Sequence, residues 1–404
     1  MASKKTDLPS VLLLLLSALG ILIGLLIAAL TLISAYVFPT ASLSAAEEMS
    51  VLSTSILSIS ISILNVPTLI TSIKKLQRKS AIQSLHPLFQ KANYVIILWL
   101  LMIAVGYFIS HEGRGTLLLA PLTVAAVIIP VWWLIEFSRR GLPRSTKLRE
   151  WGTLTIGLTV VPIIIILFEL ILIVIAVVVV MIGLGFQPGL TNQLFSFLEN
   201  INLYQGGIEE VEQILYEMMK QPLIRAAIFL IIGLIAPLIE EIFKPMSTWF
   251  LLNRPLKEYE GFSLGLISGG AFAILESAGM VIQVDIQDWL IAVTLRAATG
   301  VLHIGLSGLV GYGLARSWHQ NRIGRGILYV FSAAILHGAW NSLALLSGFY
   351  SSALSGESGI EISGINGALS IFFMIIVFIS IIVITLKINS RLRQDLTAPV
   401  EPPP

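Results

Sequence analysis

The stretch Ala236-Pro-Leu-Ile-Glu240-Glu241-Ile-Phe-Lys244-Pro245 lies inside an apolar run that covers residues 223–252. Such a run is long enough to cross a bilayer as a helix. Two adjacent carboxylates and an ammonium are costly at membrane depth unless they are partnered or face a water-filled cavity. Glu240 and Lys244 are four residues apart and share a helix face, which predicts an ion pair between them.

Pro237 and Pro245 flank the charged residues. A proline ring removes one helical hydrogen bond, so we expect the carbonyl groups of Gly233 and Glu241 to lose their helical donors. Breaks of this kind persist in lipid only beside protein or a cavity. A structural ion pair would leave the second carboxylate, that of Glu241, unexplained. The stretch therefore favours a functional site over a purely structural pair.

The composition of the whole chain is that of a membrane protein. Of its 404 residues, 56% are hydrophobic and 12% are charged, which excludes an ordinary soluble domain. There is no cysteine, so disulfides, thiolate metal sites and a cysteine nucleophile are excluded. The net charge of +2 is too small and too scattered to indicate nucleic acid binding. The lipid bilayer is the expected environment.

Apolar runs predict about ten membrane-spanning helices. They lie at about 11–37, 51–72, 92–110, 116–138, 152–186, 222–252, 262–283, 288–315, 323–349 and 365–388. The first run is too long for the apolar region of a signal peptide and is expected to remain as a span. Basic residues collect in alternate loops, so the positive-inside rule places both termini in the cytoplasm. The predicted fold is all-α, a polytopic transmembrane helical bundle of the cell membrane.

The runs divide the chain into five regions. Residues 1–186 hold five spans to which the sequence assigns no function. Residues 187–221 are acidic with apolar residues at helical spacing, which predicts an extracytoplasmic amphipathic segment. Residues 222–349 hold four spans, and 350–390 contain the last one. Residues 391–404, with a proline-rich end, are predicted to form a disordered cytoplasmic tail.

Four consecutive spans each carry a glutamate or a histidine near the middle. These spans contribute Glu240 and Glu241 in span six, Glu276 in span seven, Arg296 and His303 in span eight, and His337 and Asn341 in span nine. At ~1.5 Å per residue, Glu276, His303 and His337 lie about 20 Å deep and Glu240 about 25 Å deep, so the four groups can meet near the bilayer midplane. Two imidazoles with carboxylates suit a divalent metal, zinc being the favoured ion. Without a metal, the same groups suit a carboxylate base with oxyanion donors.

These residues resemble the motifs of the PrsW family, intramembrane proteases that are distantly similar to the CAAX prenyl proteases. The resemblance covers roughly 222–349 and rests on Glu240-Glu241-x-x-Lys244, Phe272-x-x-x-Glu276, Arg296 with His303, and His337-x-x-x-Asn341. It implies hydrolysis of peptide bonds within or beside the membrane, by a metalloprotease or by a glutamate protease. The implied partner is a membrane-bound protein substrate, with anti-sigma factors as one candidate class.

The resemblance also implies which residues are catalytic. They are Glu240, Glu241, Glu276, His303 and His337, accompanied by Asn341, which stands where some members have Asp. We assign Glu240 as the general base on a water molecule, kept ionised by Lys244. Glu276, His303 and His337 are then the metal ligands, with Glu241 as an additional ligand or support, and Asn341 orients the substrate or binds the developing oxyanion. In a metal-free variant the three ligands position water and stabilise the oxyanion.

Other interpretations stay open from the sequence. Gly305-Leu-Ser307-Gly308 spells the GxSG of rhomboid serine proteases, although it lies in a glycine-rich helix and leaves the glutamates unexplained. Buried carboxylates and broken helices also suit an ion-coupled transporter, but no matching half-repeat is visible. A catalytically inactive scaffold of the same fold is a third possibility. Glu169, alone in span five, is expected to be a protonated residue bonded to a neighbouring helix rather than a gate or a fifth carboxylate of the site.

The alternating charges predict the orientation of the chain. Reporters fused at Arg144 and at Ser390 should both read cytoplasmic, and a reporter fused at Glu210 should read extracytoplasmic. The measurement is the activity of a reporter that works on only one side of the membrane. A cytoplasmic reading at Glu210 would contradict the ten-span topology.

Overall fold

The structure, a computed structural model, describes residues 7–39, 42–77, 92–112, 116–185, 222–250, 256–281, 286–320, 322–354 and 364–397. Every regular element within these ranges is helical. Ten of the helices are long and apolar enough to cross a membrane. The predicted all-α fold of ten spans is therefore confirmed, and the protein is a multi-pass membrane protein. The cytoplasmic location of both termini stays a prediction.

We number the ten long helices in chain order. They are α1 (Leu8–Tyr36), α2 (Ala45–Leu76), α3 (Ala92–Glu112), α4 (Leu119–Ser138), α5 (Lys147–Gly185), α6 (Pro222–Phe243), α7 (Glu258–Val281), α8 (Trp289–His319), α9 (Ile323–Leu354) and α10 (Gly364–Thr397). A short helix, Met246–Trp249, follows α6. The amphipathic segment predicted at 187–221 lies outside the described residues.

The helices form two compact units. The first unit consists of Met1–Pro162, Glu241–Ala333 and Phe378–Pro404, and the second consists of Ile163–Glu240 and Ala334–Val377. Each unit therefore combines segments that are distant in sequence. The boundary passes between Glu240 and Glu241, so α6 contributes residues to both units.

Helices α7 and α8 approach each other closely in the first unit. A Cβ atom on Gly265 would lie 2.2 Å from the carbonyl oxygen of Ser307, and one on Gly269 would lie 2.2 Å from that of His303. Only glycine fits at these two positions, which is the usual way in which membrane helices bring their backbones together. These two glycines therefore serve helix packing, and the packing places His303 directly beside α7.

Helix α4 packs against both helices of this pair. The side chains of Val131 and Ile135 lie over Gly270, where a Cβ atom would be 3.1 Å and 2.5 Å from their methyl carbons. Farther along α4, the Trp289 Nε1–H at the start of α8 donates a hydrogen bond to Thr123 Oγ1 (2.7 Å). One of the five spans to which the sequence assigned no function therefore helps to position the helices that carry Glu276 and His303.

In the second unit, α6 and α9 meet at another pair of glycines. A Cβ atom on Gly338 would lie 1.9 Å from the carbonyl oxygen of Gly233, and one on Gly233 would lie 2.3 Å from Ser342 Oγ. Because Gly338 follows His337, this close contact places the histidine beside α6.

Helix α10 continues beyond the predicted end of the last span. A disordered tail was predicted from Arg391, but the helix extends to Thr397. Leu392 is buried in the first unit, and the Asn389 Nδ2–H donates to the carbonyl of Arg140 (3.1 Å). These contacts explain why the helix persists past its apolar part. The proline-rich end, 398–404, lies outside the described residues.

Candidate functional site

Helix α6 changes its hydrogen-bonding register just before the charged residues. Its first part, Pro222–Leu230, is α-helical, Ile231–Ile235 form a π-helical turn, and Ala236–Phe243 are α-helical again. The Ala236 N–H donates to the carbonyl of Ile231, five residues earlier. Single π-helical turns inside α-helices are frequent at functional sites. The interruption predicted from Pro237 is therefore present as a π-turn.

The π-turn changes which carbonyl group loses its helical donor. In the five-residue register, the missing N–H of Pro237 deprives the carbonyl of Ile232, and not that of Gly233 as predicted. The Asn341 Nδ2–H donates to this Ile232 carbonyl (3.2 Å). An ionised aspartate, which some family members are expected to have at this position, could not donate such a bond. Asn341 thus acts on the backbone of α6.

Glu240 and His337 lie together in the second unit. Glu240 Oε2 and His337 Nε2 are 3.9 Å apart, and both side chains are buried. This distance is too long for a direct hydrogen bond. Two ligand atoms that each lie ~2.1 Å from one zinc ion are roughly 3.4 Å apart in tetrahedral geometry. The separation therefore fits shared metal ligation after a small adjustment.

Lys244, in the first unit, is fully buried at 0% exposure. Its Nζ donates to Glu241 Oε1 (2.9 Å) and to His303 Nδ1 (2.8 Å), and it lies 4.5 Å from the centroid of the Phe272 ring. An ammonium above an aromatic face gains a further cation–π attraction. Three different groups therefore compensate the buried charge.

Glu241, which was not predicted as a partner, lies against Lys244. The four-residue spacing predicted a pair between Lys244 and Glu240, which stays a prediction, and the structure shows an ion pair between Lys244 and Glu241. Helix α6 ends at Phe243, before Pro245, so Lys244 lies just past the last regular helical turn. A spacing of three residues also allows two side chains to meet.

The contacts of His303 define its tautomer. An ammonium can only donate hydrogen bonds, so Nδ1 accepts from Lys244 and carries no proton. The single proton of the neutral ring is then on Nε2, which is paired with Glu276 Oε2. Arg296 Nη2 lies 3.0 Å from the same Glu276 oxygen. Glu276 therefore orients His303 and is itself held by Arg296.

Two site residues were not assigned a role from the sequence. Ser268 donates a hydrogen bond to the carbonyl of Lys244, and Phe272 lies against both Lys244 and the His303 ring, whose centroid is 5.3 Å away. Ser268, Phe272 and Glu276 follow one another at intervals of four residues on α7, so they share one face. From that spacing, the position of Ser268 on the same face of α7 as Glu276 could have been predicted.

The GxSG stretch belongs to the packing of α8. A Cβ atom on Gly305 would lie 2.5 Å from Ile381, and one on Gly308 would lie 2.7 Å from Leu266. Ser307 is buried between these contacts. Close packing therefore accounts for the glycines of this motif.

Glu169 lies half-buried on α5 in the second unit.

Taken unit by unit, the structure is that of a polytopic membrane protein with carboxylates, imidazoles and an ammonium buried among membrane-length helices. Comparison with known protein families matches residues 151–384, more than half of the chain, to the PrsW family intramembrane metalloproteases. The chain belongs to this family and is an intramembrane protease, whose substrate is a membrane-associated protein. The match begins in α5 and ends in α10, and so extends beyond the predicted 222–349.

Comparison with curated proteins found no match, and neither did comparison with solved structures.

The hydrogen bond of Asn341 should contribute measurably to stability. We expect Asn341→Leu to lower the free energy of unfolding by about 1–3 kcal/mol, because it leaves the Ile232 carbonyl without a donor inside the membrane. The measurement is the thermal unfolding midpoint of the protein in detergent. Asn389→Leu is the matched control, since it removes the same kind of bond, but the carbonyl that it leaves without a donor belongs to Arg140, which is exposed. Equal losses in both variants would contradict the role given to Asn341.

Proposed function

We propose that the protein hydrolyses a peptide bond of a membrane-bound protein with a water molecule activated by Glu241, at a divalent metal, preferably zinc, held by Glu240, His303 and His337. The observation that supports this most strongly is the buried ion pair between Lys244 and Glu241. Because Glu240 and Glu241 are consecutive, their Cα atoms are ~3.8 Å apart, which allows the two groups of side chains to serve one reaction.

Glu241 takes the role of base that the sequence gave to Glu240. Removal from water disfavours a carboxylate, and a nearby positive charge opposes that effect. The Lys244 ammonium, 2.9 Å from Glu241 Oε1, supplies this charge at a site with no exposed surface. A carboxylate kept ionised in this way can accept a proton from water within hydrogen-bond reach.

The ligand assignment rests on the type and orientation of the donor atoms. Glu240 and His337 present an oxygen and a nitrogen 3.9 Å apart. The His303 ring is oriented by Glu276 through Nε2, which is how carboxylates commonly orient metal-binding histidines. A bound metal would polarise the scissile carbonyl and lower the cost of ionising water. His303 can offer Nδ1 to it only after the Lys244 ammonium moves aside.

Two residues take roles that differ from the sequence-based assignment. Glu276, predicted to be a ligand, is proposed as a positioning residue, because the same oxygen already contacts His303 and Arg296. Asn341, predicted to bind substrate or the oxyanion, is proposed to hold the interrupted backbone of α6. Both residues would then act on the site through other side chains or through the backbone.

A metal-free glutamate mechanism has one observation in its favour. The chain places its own cation, Lys244 Nζ, 2.8 Å from His303 Nδ1. In this variant, Glu241 is again the base, and the ammonium and the imidazoles stabilise the negative charge that develops on the substrate oxygen. Membrane-bound regulators such as anti-sigma factors are the substrate class suggested by the family resemblance.

Two variants separate the base from the ligands. Glu241→Gln should lower single-turnover cleavage of a fluorescent transmembrane peptide by roughly 10²–10⁴-fold while leaving the metal content unchanged, because a base is lost and no ligand is. Glu240→Gln should lower both cleavage and the amount of zinc retained after dialysis. Metal content is measured by mass spectrometry on the detergent-purified protein, and Ser307→Ala, which should change neither quantity, is the control.

The outcomes distinguish the alternatives. Full activity after chelation, with no metal in the purified protein, would favour the glutamate mechanism over the metal-dependent one. Wild-type cleavage by Glu241→Gln would overturn the assignment of the base. Loss of cleavage in Ser307→Ala alone would favour a serine nucleophile.

A further inference from the structure

A cavity of about 310 Å³ lies in the first unit, away from Lys244 and His303. Its wall is formed by α2, α4, α5 and α7, to which Leu64, Ile128, Trp151 and Ile274 respectively contribute. The volume is at the lower end of the range seen for small-ligand sites. The cavity is almost entirely apolar except at one end, where α4 stops and α5 begins.

The charged end of the cavity contains a paired network. The carboxylate of Glu136 contacts both Arg139 and Arg144, and Arg139 Nη1 lies 3.1 Å from Glu150. Arg144 Nη1 lies 3.7 Å from the second oxygen of Glu150. Two guanidinium groups thus face two carboxylates, so this part of the lining is electrically neutral.

Lys147 adds one positive charge to this neutral network. It is the first residue of α5, is half-buried and lines the same end of the cavity. Among the described residues, both carboxylates of the lining are engaged by arginines, and Lys147 takes part in no ion pair. The cavity therefore combines an apolar body with a single uncompensated ammonium at its end.

We propose that this cavity binds one anionic phospholipid of the surrounding bilayer, with an acyl chain in the apolar part and the phosphate against Lys147. Ile128 lies eleven residues before Arg139, the residue that follows the end of α4, which is about 16 Å along the helix and suits one extended chain segment. The volume accommodates part of one chain, so the second chain stays in the bilayer.

The position of the two tryptophans supports a bilayer lipid as the occupant. Trp132 lines the cavity and is 43% exposed, so this side chain joins the cavity wall to the outer surface of the helices. Trp151 lines it near the charged end. Tryptophan is enriched where apolar membrane meets headgroups. The basic loop at this end is also the one predicted to face the cytoplasm, where anionic lipids attract lysine and arginine.

Native mass spectrometry of the full-length protein in detergent, with equimolar phosphatidylglycerol and phosphatidylcholine, tests the proposal. We expect one retained phosphatidylglycerol per chain. Lys147→Gln should lower the ratio of retained phosphatidylglycerol to phosphatidylcholine by about fivefold, the effect of removing one lysine charge near the phosphate. Lys75→Gln, an exposed lysine of α2 outside the cavity, is the matched control and should leave the ratio unchanged.

A second variant tests the apolar part. Leu64→Trp should fill the cavity and abolish retention of the lipid while the protein still elutes as a single folded species. Equal effects of Lys147→Gln and Lys75→Gln would overturn the proposal, because general surface charge would then explain the preference. Full retention by Leu64→Trp, or displacement of the phospholipid by an equal concentration of oleate, would also overturn it.

Discussion

A positive charge without access to water is the constraint on which this site depends. Burying an ammonium costs several kcal/mol unless other groups compensate it. Lys244 meets this requirement with the Glu241 carboxylate, with His303 Nδ1 and with the face of the Phe272 ring. The same contacts fix the protonation of His303, and through it the pairing with Glu276 and Arg296. One lysine therefore organises the polar residues of three helices, which is a stronger role than the simple helix-face pair suggested by its spacing.

The backbone supplies the space for these side chains. In the first unit, Gly265 and Gly269 bring α7 against the backbone of α8, and in the second unit Gly233 and Gly338 bring α6 against α9. The π-turn of α6 then leaves the carbonyl of Ile232 free for Asn341. The glycines and the proline thus have different structural roles. Glycines set how closely two helices approach, whereas the proline opens a backbone group for a side chain of another helix.

Much of this structure could be predicted from the sequence, because apolar length and charge determine which segments span a membrane. The ten helices and the family were correct, and the polar residues of spans six to nine were recognised. The pairing of Lys244 with Glu241 and the carbonyl of α6 that loses its donor were not predicted, because both depend on where α6 departs from ideal helical geometry. Regular spacing cannot show that the helix ends at Phe243 or that a π-turn precedes Pro237. The role of Ser268 was missed because it binds a backbone carbonyl exposed only by that same irregularity.

The proton of the His303 ring provides the most direct test. Nitrogen-15 NMR of histidine-labelled protein freed of metal by chelation, with the signal assigned by its loss in His303→Gln, reports which ring nitrogen is protonated. The structure predicts a neutral ring with its proton on Nε2 and an unprotonated Nδ1 that accepts from Lys244. The Nδ1 signal should shift in Lys244→Met, which removes the donor. A proton on Nδ1, or a doubly protonated ring, would place two donors face to face and would contradict the account.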